Sequence, residues 1–392
     1  MPATESYQMA AHLIAWGALA ILCYAYFGYP VLLALAVRLR RPAPVQRGDA
    51  RPSVTVVVAA WNEAPTIAAK IENTLSQDYP PDLLDMIVVS DASTDGTDDI
   101  VAGYAARTER VSLLRTEGRQ GKSVALNLGV PTAKGEIVVL TDADATFEPD
   151  AVAQLAKPFA DPRVGAVSGQ LRYRTSGGLD EGEGAYWHYE QRVKQLESSL
   201  HSLLGANGSI YAIRRNLFRP LRALDVNDLR IPYEVLLQGY LVVLEPAARS
   251  YEAPAPSLWA EYRRKVRIMS RAIATVLLLV GRTVARRRMA FLWQLISHKL
   301  FREIQAIFFA GMLFGAGWGT ALGDGVLSLF FAGQLALYLL GAVAWAFPRA
   351  VPRLLRLAAH FDMIALASFA ALALWLTGRA RATWQPARTA QG

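Results

Sequence analysis

Apolar positions along this chain come in runs of two lengths. Residues 13–37 carry no charged side chain, and neither do 304–323, 326–347 and 363–378. About 20 apolar residues suffice to cross a bilayer's hydrocarbon core. The first run therefore predicts an uncleaved transmembrane helix, longer than the apolar core of a signal peptide. Residues 304–323 and 326–347 predict a helical hairpin that turns at Gly323, Asp324 and Gly325. The last run is shorter, with Arg349, Arg353 and Arg356 before it and Arg379, Arg381 and Arg388 after it, which leaves spanning and interfacial placements both open.

Between these segments the period changes. Short β-branched runs at 54–58, 86–90, 111–114, 136–140 and 164–171 alternate with helix-like segments at 66–77, 98–107 and 122–132. A long polar and aromatic helix is expected over 186–204. Repeated strand–helix–strand units predict an α/β fold, a mainly parallel sheet covered on both faces, with ligand groups beyond the carboxyl ends of its strands. The expected division is a membrane helix (1–41), a proline-containing linker (42–52), an α/β catalytic domain (53–257), basic interface helices (258–302), a membrane region (303–378) and a tail (379–392).

Composition agrees with a membrane-flanked α/β domain. At 53% hydrophobic and 19% charged, the chain is more apolar than ordinary soluble domains. Its one cysteine, Cys23, excludes an intrachain disulfide framework. The net charge of +8 is concentrated, because between Leu258 and Arg302 eleven Lys and Arg face only Glu261. Apolar clusters at 276–280 and 290–293 interleave with these cations, a pattern suited to an anionic inner leaflet rather than to nucleic acid. Arg38, Arg40 and Arg41 follow the first apolar run while only Glu5 precedes it. The positive-inside rule then puts the α/β domain in the cytoplasm.

The candidate chemistry lies at strand ends. Asp142 and Asp144 flank one residue after an apolar strand, a spacing that can hold Mg2+ or Mn2+ against diphosphate oxygens. Asp91 ends another strand and, offering only acceptors, can take the imide N–H of a uracil; Asn62 and Glu63 would border the same pocket. Asp95 reads equally as a cap for the helix after it. Residues 118–123 hold part of a phosphate loop without the Walker spacing, which disfavours ATP hydrolysis. Lys122 there can meet a diphosphate at a helix N-terminus. Asp228 opens an amphipathic segment and is either a helix-end carboxylate or a general base.

Together these residues resemble the membrane-bound family 2 glycosyltransferases, relatives of cellulose, chitin and hyaluronan synthases with the GT-A nucleotide-diphosphosugar transferase fold. The resemblance covers about Ser53 to Arg271. It implies that Ala60, Asn62, Glu63, Asp91, Lys122 and Asp142 contact the nucleotide, that Asp142 and Asp144 bind the metal, and that Asp228 is the catalytic base. It further implies that Gly205, Asn207 and Gly208 frame the acceptor, and that Arg264 and Arg267 lie at the acceptor and diphosphate. The expected partners are a UDP-sugar, a lipid-linked or growing glycan acceptor, and membrane lipids. Asn227 stands where the family has Glu before the base, and Arg264 and Ile268 replace the Gln and Trp of the processive synthases' GlnXXArgTrp motif. An isoleucine gives a sugar ring no aromatic face, which speaks against processive polymerisation. Two rivals are a processive synthase with translocation and a catalytically silent nucleotide-sugar-binding scaffold.

Overall fold

The computed structural model describes residues 3–40, 43–174, 181–200, 202–347 and 351–383. Arg41, Pro42, Arg349 and Arg388, named above, lie outside them. Two compact units divide the chain, one holding Met1–Leu32 and Ala255–Ala380, the other Leu33–Asp180 and Trp187–Pro254.

Starting in the first unit, α1 (Ala3–Cys23) passes through a π turn into α2 (Tyr29–Arg40), whose residues from Leu33 onward belong to the second. Its partners are small. A Cβ on Gly315 would lie 2.7 Å from the Ala15 backbone nitrogen, so glycine there lets two helices approach to backbone contact. Later helices of this unit are labelled below in chain order.

The second unit is the α/β domain. Its sheet contains β1 (Val54–Ala60), β2 (Leu84–Ser90), β3 (Val111–Arg115), β4 (Ile137–Thr141), β5 (Thr146–Phe147), β6 (Val164–Tyr173), β7 (Tyr211–Arg214) and β8 (Leu241–Glu252), in the order β3-β2-β1-β4-β7-β6-β8-β5. Pairing is parallel for β1 with β2 and β4, for β2 with β3 and for β6 with β8, and antiparallel around β7 and β5. Every residue of β1 and β4 is buried, as continuous Val and Ile runs covered on both faces should be. The first four strands fall where the apolar runs predict, within a residue or two. The short β5, the four-residue β7 and β8 were not anticipated.

Helices α3 (Ala64–Leu75), α4 (Thr97–Ala105), α5 (Lys122–Thr132), α6 (Ala151–Ala156), α7 (Glu181–Leu200) and α8 (Asn227–Leu237) complete the fold around it. Register aligns Ala60 with Ser90, and Val58 with Thr141, so Asn62, Asp91 and Asp142 leave the sheet at one edge. The chain runs from β1 out to β2 and later returns to β4 on the other side of β1; that reversal opens the crevice in which α/β sheets bind ligands. The expected linker is strapped to this domain. The Gln46 amide donates to Asp161 at 3.2 Å and Arg47 to Glu245 at 2.9 Å.

Toward the C-terminus come α9 (Leu258–Ala285), α10 (Met289–Gln294), a π turn at Leu295–Leu300, α11 (Phe301–Glu303), α12 (Gln305–Ala321), α13 (Gly325–Ala346) and α14 (Arg353–Leu376). Among the described residues four helices are long and apolar enough to cross a membrane: Thr4–Arg40, Leu258–Ala285, Gly325–Ala346 and Leu357–Leu376. A fifth arises if Met289–Glu303 and Gln305–Ala321, bent by 63°, form one span. Two differences from the sequence reading follow. The helix over the last apolar run begins well upstream of residue 363, which gives it spanning length, and most of the basic segment is one helix, α9. The hairpin turn is as predicted, with Asp324 capping α13 by accepting from the Leu327 amide at 2.9 Å.

Candidate active site

Two loops at the carboxyl edge are laced together. After β1, Asn62 adopts a left-handed φ of +54°, which asparagine tolerates because its side chain bonds locally. Its Oδ1 accepts from the Thr94 amide at 2.9 Å and its own amide donates to Ser93 Oγ at 3.1 Å. The Glu63 amide donates to Thr97 Oγ1, while Asp95 accepts from the amides of Ala64 and Thr97 and from the Thr97 hydroxyl. Burial acts against the Asp95 carboxylate, but these donors outweigh it and hold its pKa below the ordinary value. Asp95 thus bonds the first residue of α4, as the capping reading expects, and also ties in the loop after β1.

Asp91 is fully buried. Its Oδ1 and Oδ2 accept from the Gln120 and Gly121 amides, each at 2.8 Å. The carboxylate fastens the loop that enters α5, while Ala92 beside it takes φ +58°, uncommon for a residue with a Cβ. At the start of α5, Lys122 Nζ donates to Asp142 Oδ1 at 2.5 Å. Sequence reasoning also missed a pair on this rim: the Arg119 guanidinium lies 3.3 Å from the Trp61 ring centre, a stacked cation–π contact.

Asp142 and Asp144 follow β4, Asp142 partly exposed and Asp144 exposed. Asp228 stands in the first turn of α8. The 205–210 loop joins these groups because its glycines leave room. A Cβ on Gly205 would meet the Asp228 carbonyl at 3.2 Å, and one on Gly208 would lie 3.3 Å from Asp228 Oδ2 and 3.7 Å from Asp142 Oδ2. Two carboxylates from distant sequence thus face one point beside a bare backbone. Asn207 orients this loop, its amide donating to Ser168 Oγ and its Nδ2 to the Gly169 carbonyl. Below, the buried Tyr211 hydroxyl accepts from Asn227 Nδ2 at 2.9 Å. Burial, with the nearby Asp228 and Asp142 charges, raises the Tyr211 pKa well above its ordinary value and keeps the phenol neutral.

The most informative residue the sequence reading passed over is Lys70. It projects from α3, only 2% exposed, and its Nζ donates to Thr141 Oγ1 at 3.0 Å and the Ala145 carbonyl at 2.7 Å. Burial lowers its pKa to about 7, against the raising effect of Asp142 and Asp144. The signal was present, since Lys70 lies on the Ile67, Ile71 and Thr74 stripe buried by this helix. Arg264 and Arg267 belong to α9 in the other unit, where Arg264 pairs doubly with Glu261 at 2.7 and 2.8 Å.

These residues suit a divalent cation. Two hard carboxylates one residue apart follow β4, and one of them, Asp142, stands beside the recess that a Cβ on Gly208 would enter; Mg2+ is commonly held by one or two carboxylates with substrate phosphates supplying the remainder. Among the described residues no three His, Cys, Asp or Glu converge as an all-protein cage.

Comparison with known proteins bears on the family and the fold. Residues 55–221 match Glycosyl transferase family 2. The chain is 32% identical over 199 residues to the beta-monoglucosyldiacylglycerol synthase of Nostoc sp., covering 47% of this chain and 42% of that one. It is 26% identical over 229 residues to the poly-beta-1,6-N-acetyl-D-glucosamine synthase of Staphylococcus aureus, covering 56% and 54%. The chain thus spans about half or less of the length of these relatives. Among solved structures it resembles a mannosyltransferase from Pyrobaculum calidifontis in complex with GDP-Man and Mn2+, with a TM-score of 0.71 and 26% identity over 94% of this chain and 100% of that one. The chain carries a family 2 glycosyltransferase domain of the GT-A type, flanked by apolar helices of membrane-spanning length.

Proposed function

We propose that this protein is an inverting glycosyltransferase that moves a sugar from a UDP-sugar to a lipid-linked or growing glycan acceptor at the inner face of the cell membrane. The observation that carries the reading is the approach of Asp228 Oδ2 and Asp142 Oδ2 to one point beside Gly208. A proton-accepting carboxylate and a donor-binding carboxylate must flank the anomeric carbon, and the nearness of these two carboxylates to one point supports that reading.

Asp228 accepts the proton of an acceptor hydroxyl as that oxygen bonds to the anomeric carbon. The bond to the diphosphate oxygen breaks with its electron pair, and the nucleoside diphosphate leaves from the opposite face. Asp142 and Asp144 would hold Mg2+ or Mn2+, which supplies Lewis-acid stabilisation to the leaving diphosphate. Lys122, at an α5 N-terminus whose backbone amides favour anions, offers a second positive charge. Asn62, Glu63 and Asp91 shape the nucleoside pocket by fixing its loops. Ile268 supports addition of one sugar over polymerisation. The relatives' names, a diacylglycerol glycoside synthase and a poly-N-acetylglucosamine synthase, support a lipid or glycan acceptor, and the GDP-Man and Mn2+ of the structural neighbour support a metal-assisted nucleotide-sugar donor.

The test is nucleotide release from detergent-solubilised full-length protein. A panel of UDP-sugars and GDP-Man would be assayed with diacylglycerol and polyprenyl-phosphate acceptors, with and without EDTA. Release of UDP that EDTA abolishes is expected. Turnover of GDP-Man alone would overturn the UDP assignment, and no turnover of any donor would favour the silent scaffold.

A further inference from the structure

We propose that Lys70 is a positioning residue for the metal-binding loop, setting the affinity of Asp142 and Asp144 for their cation; this inference rests on the metal reading above. The two bonds from its ammonium go to residues flanking that pair, Thr141 on one side and Ala145 on the other. The ammonium also lies 3.6 Å from the centre of the Phe147 ring, so its three-donor head is matched by two acceptors and an aromatic face. One turn along α3, Asn73 bonds both backbone groups of Phe147, donating to its carbonyl at 3.0 Å and accepting from its amide at 2.7 Å. The loop from 141 to 147 is thus gripped at both ends by one helix. Thr141 Oγ1 in turn donates to the Ser209 carbonyl at 2.7 Å, next to Gly208. A connected path runs from Lys70 through the metal loop to the backbone beside Asp228.

A buried ammonium is costly to desolvate, and a neutral side chain could fill the same volume. What the cation adds is two charge-assisted bonds that span the loop, within a field of two adjacent carboxylates that repel each other. The sign of the effect separates this role from plain electrostatics. Removing a positive charge near a dication site should tighten metal binding if charge alone matters. Loss of the clamp should weaken it.

The experiment is Mn2+ titration of the detergent-solubilised full chain, followed by electron paramagnetic resonance. Lys70→Met should raise the Mn2+ Kd by about tenfold or more, the scale at which groups supporting metal ligands act. Its donor turnover should recover substantially at saturating Mn2+, so that the metal concentration for half-activity moves more than kcat. Thr141→Val, which cuts the same link from the loop side, should shift the Kd in the same direction and serves if Lys70→Met fails to fold. An unchanged or tighter Kd in the folded variants overturns the proposal. Asp144→Asn is the reference: if it leaves Mn2+ binding intact, the metal assignment itself falls, and the clamp with it.

Discussion

At Gly208 the site depends on an atom that is missing. A methyl group there would press against Asp228 Oδ2 at 3.3 Å and stand 3.7 Å from Asp142 Oδ2, in the space the proposed function gives to substrate. Gly208→Ala should therefore lower kcat/KM by about tenfold or more, because small misplacements at a reacting centre are expensive, while thermal melting stays near wild type. Steady-state kinetics beside a melt would show it, and unaltered kcat/KM would remove the recess from the mechanism. Asp228→Asn keeps the shape but not the proton acceptor. Its kcat should fall by about 10²–10⁴-fold with donor affinity by calorimetry preserved; full turnover would take Asp228 out of the base role. At this scale the sequence was most legible for residues whose chemistry is rare where they stand. Aspartates at the ends of Val-rich strands announce themselves. Lys70 did so only faintly, through its place on the apolar stripe of α3, because an isolated lysine is ordinarily solvent-exposed. For Asn62 and Asp91 the sequence predicted a nucleoside pocket, whereas the coordinates show their side chains binding neighbouring loops.

Helix α3 illustrates what one element can do for a site it does not line. Lys70 and Asn73 lie one turn apart and hold consecutive parts of the same loop. Asn73→Ala leaves two backbone groups of Phe147 without their partner, and unfolding free energy should drop by about 1–3 kcal/mol, read from denaturant or thermal melts. Lys70 also gives stability a pH dependence. Its folded pKa is lowered by burial to about 7 from the ordinary lysine value of 10.5, so between those values the unfolded chain binds more protons and stability rises with pH. Its burial cost is felt in full below pH 7 and relieved toward pH 10.5. Melts of wild type and Lys70→Met at pH 7 and 9.5 should differ in this slope, the wild type gaining more; parallel curves would contradict it. Among strands, those with buried β-branched runs were readable, since both faces being covered leaves a continuous apolar signature. β8 was not, because Pro246 and alternating polar residues interrupt it, and its register slips where β6 pairs with it between Ser168 and Gln170. Such a strand is specified by its neighbour more than by its own composition.

For the whole molecule, the apolar helices predict an integral membrane protein. Alkaline carbonate washing of membranes should leave the chain in the pellet, and detergent should release it; extraction by carbonate alone would contradict the spans. The sequence by itself determined the alternation of strand and helix, the long apolar helices, the concentration of positive charge after Leu258 and the kinds of side chain available for chemistry, because periodicity, length and residue type are local properties. Tertiary structure alone decided that Asp142 and Asp228 share a recess, that Gly208 keeps it open, that Asp91 secures a loop, and that Lys70 is enclosed against the loop that carries Asp142 and Asp144. Those facts depend on which distant segments are brought together by sheet order and burial, and no stretch of sequence contains both sides of such a contact.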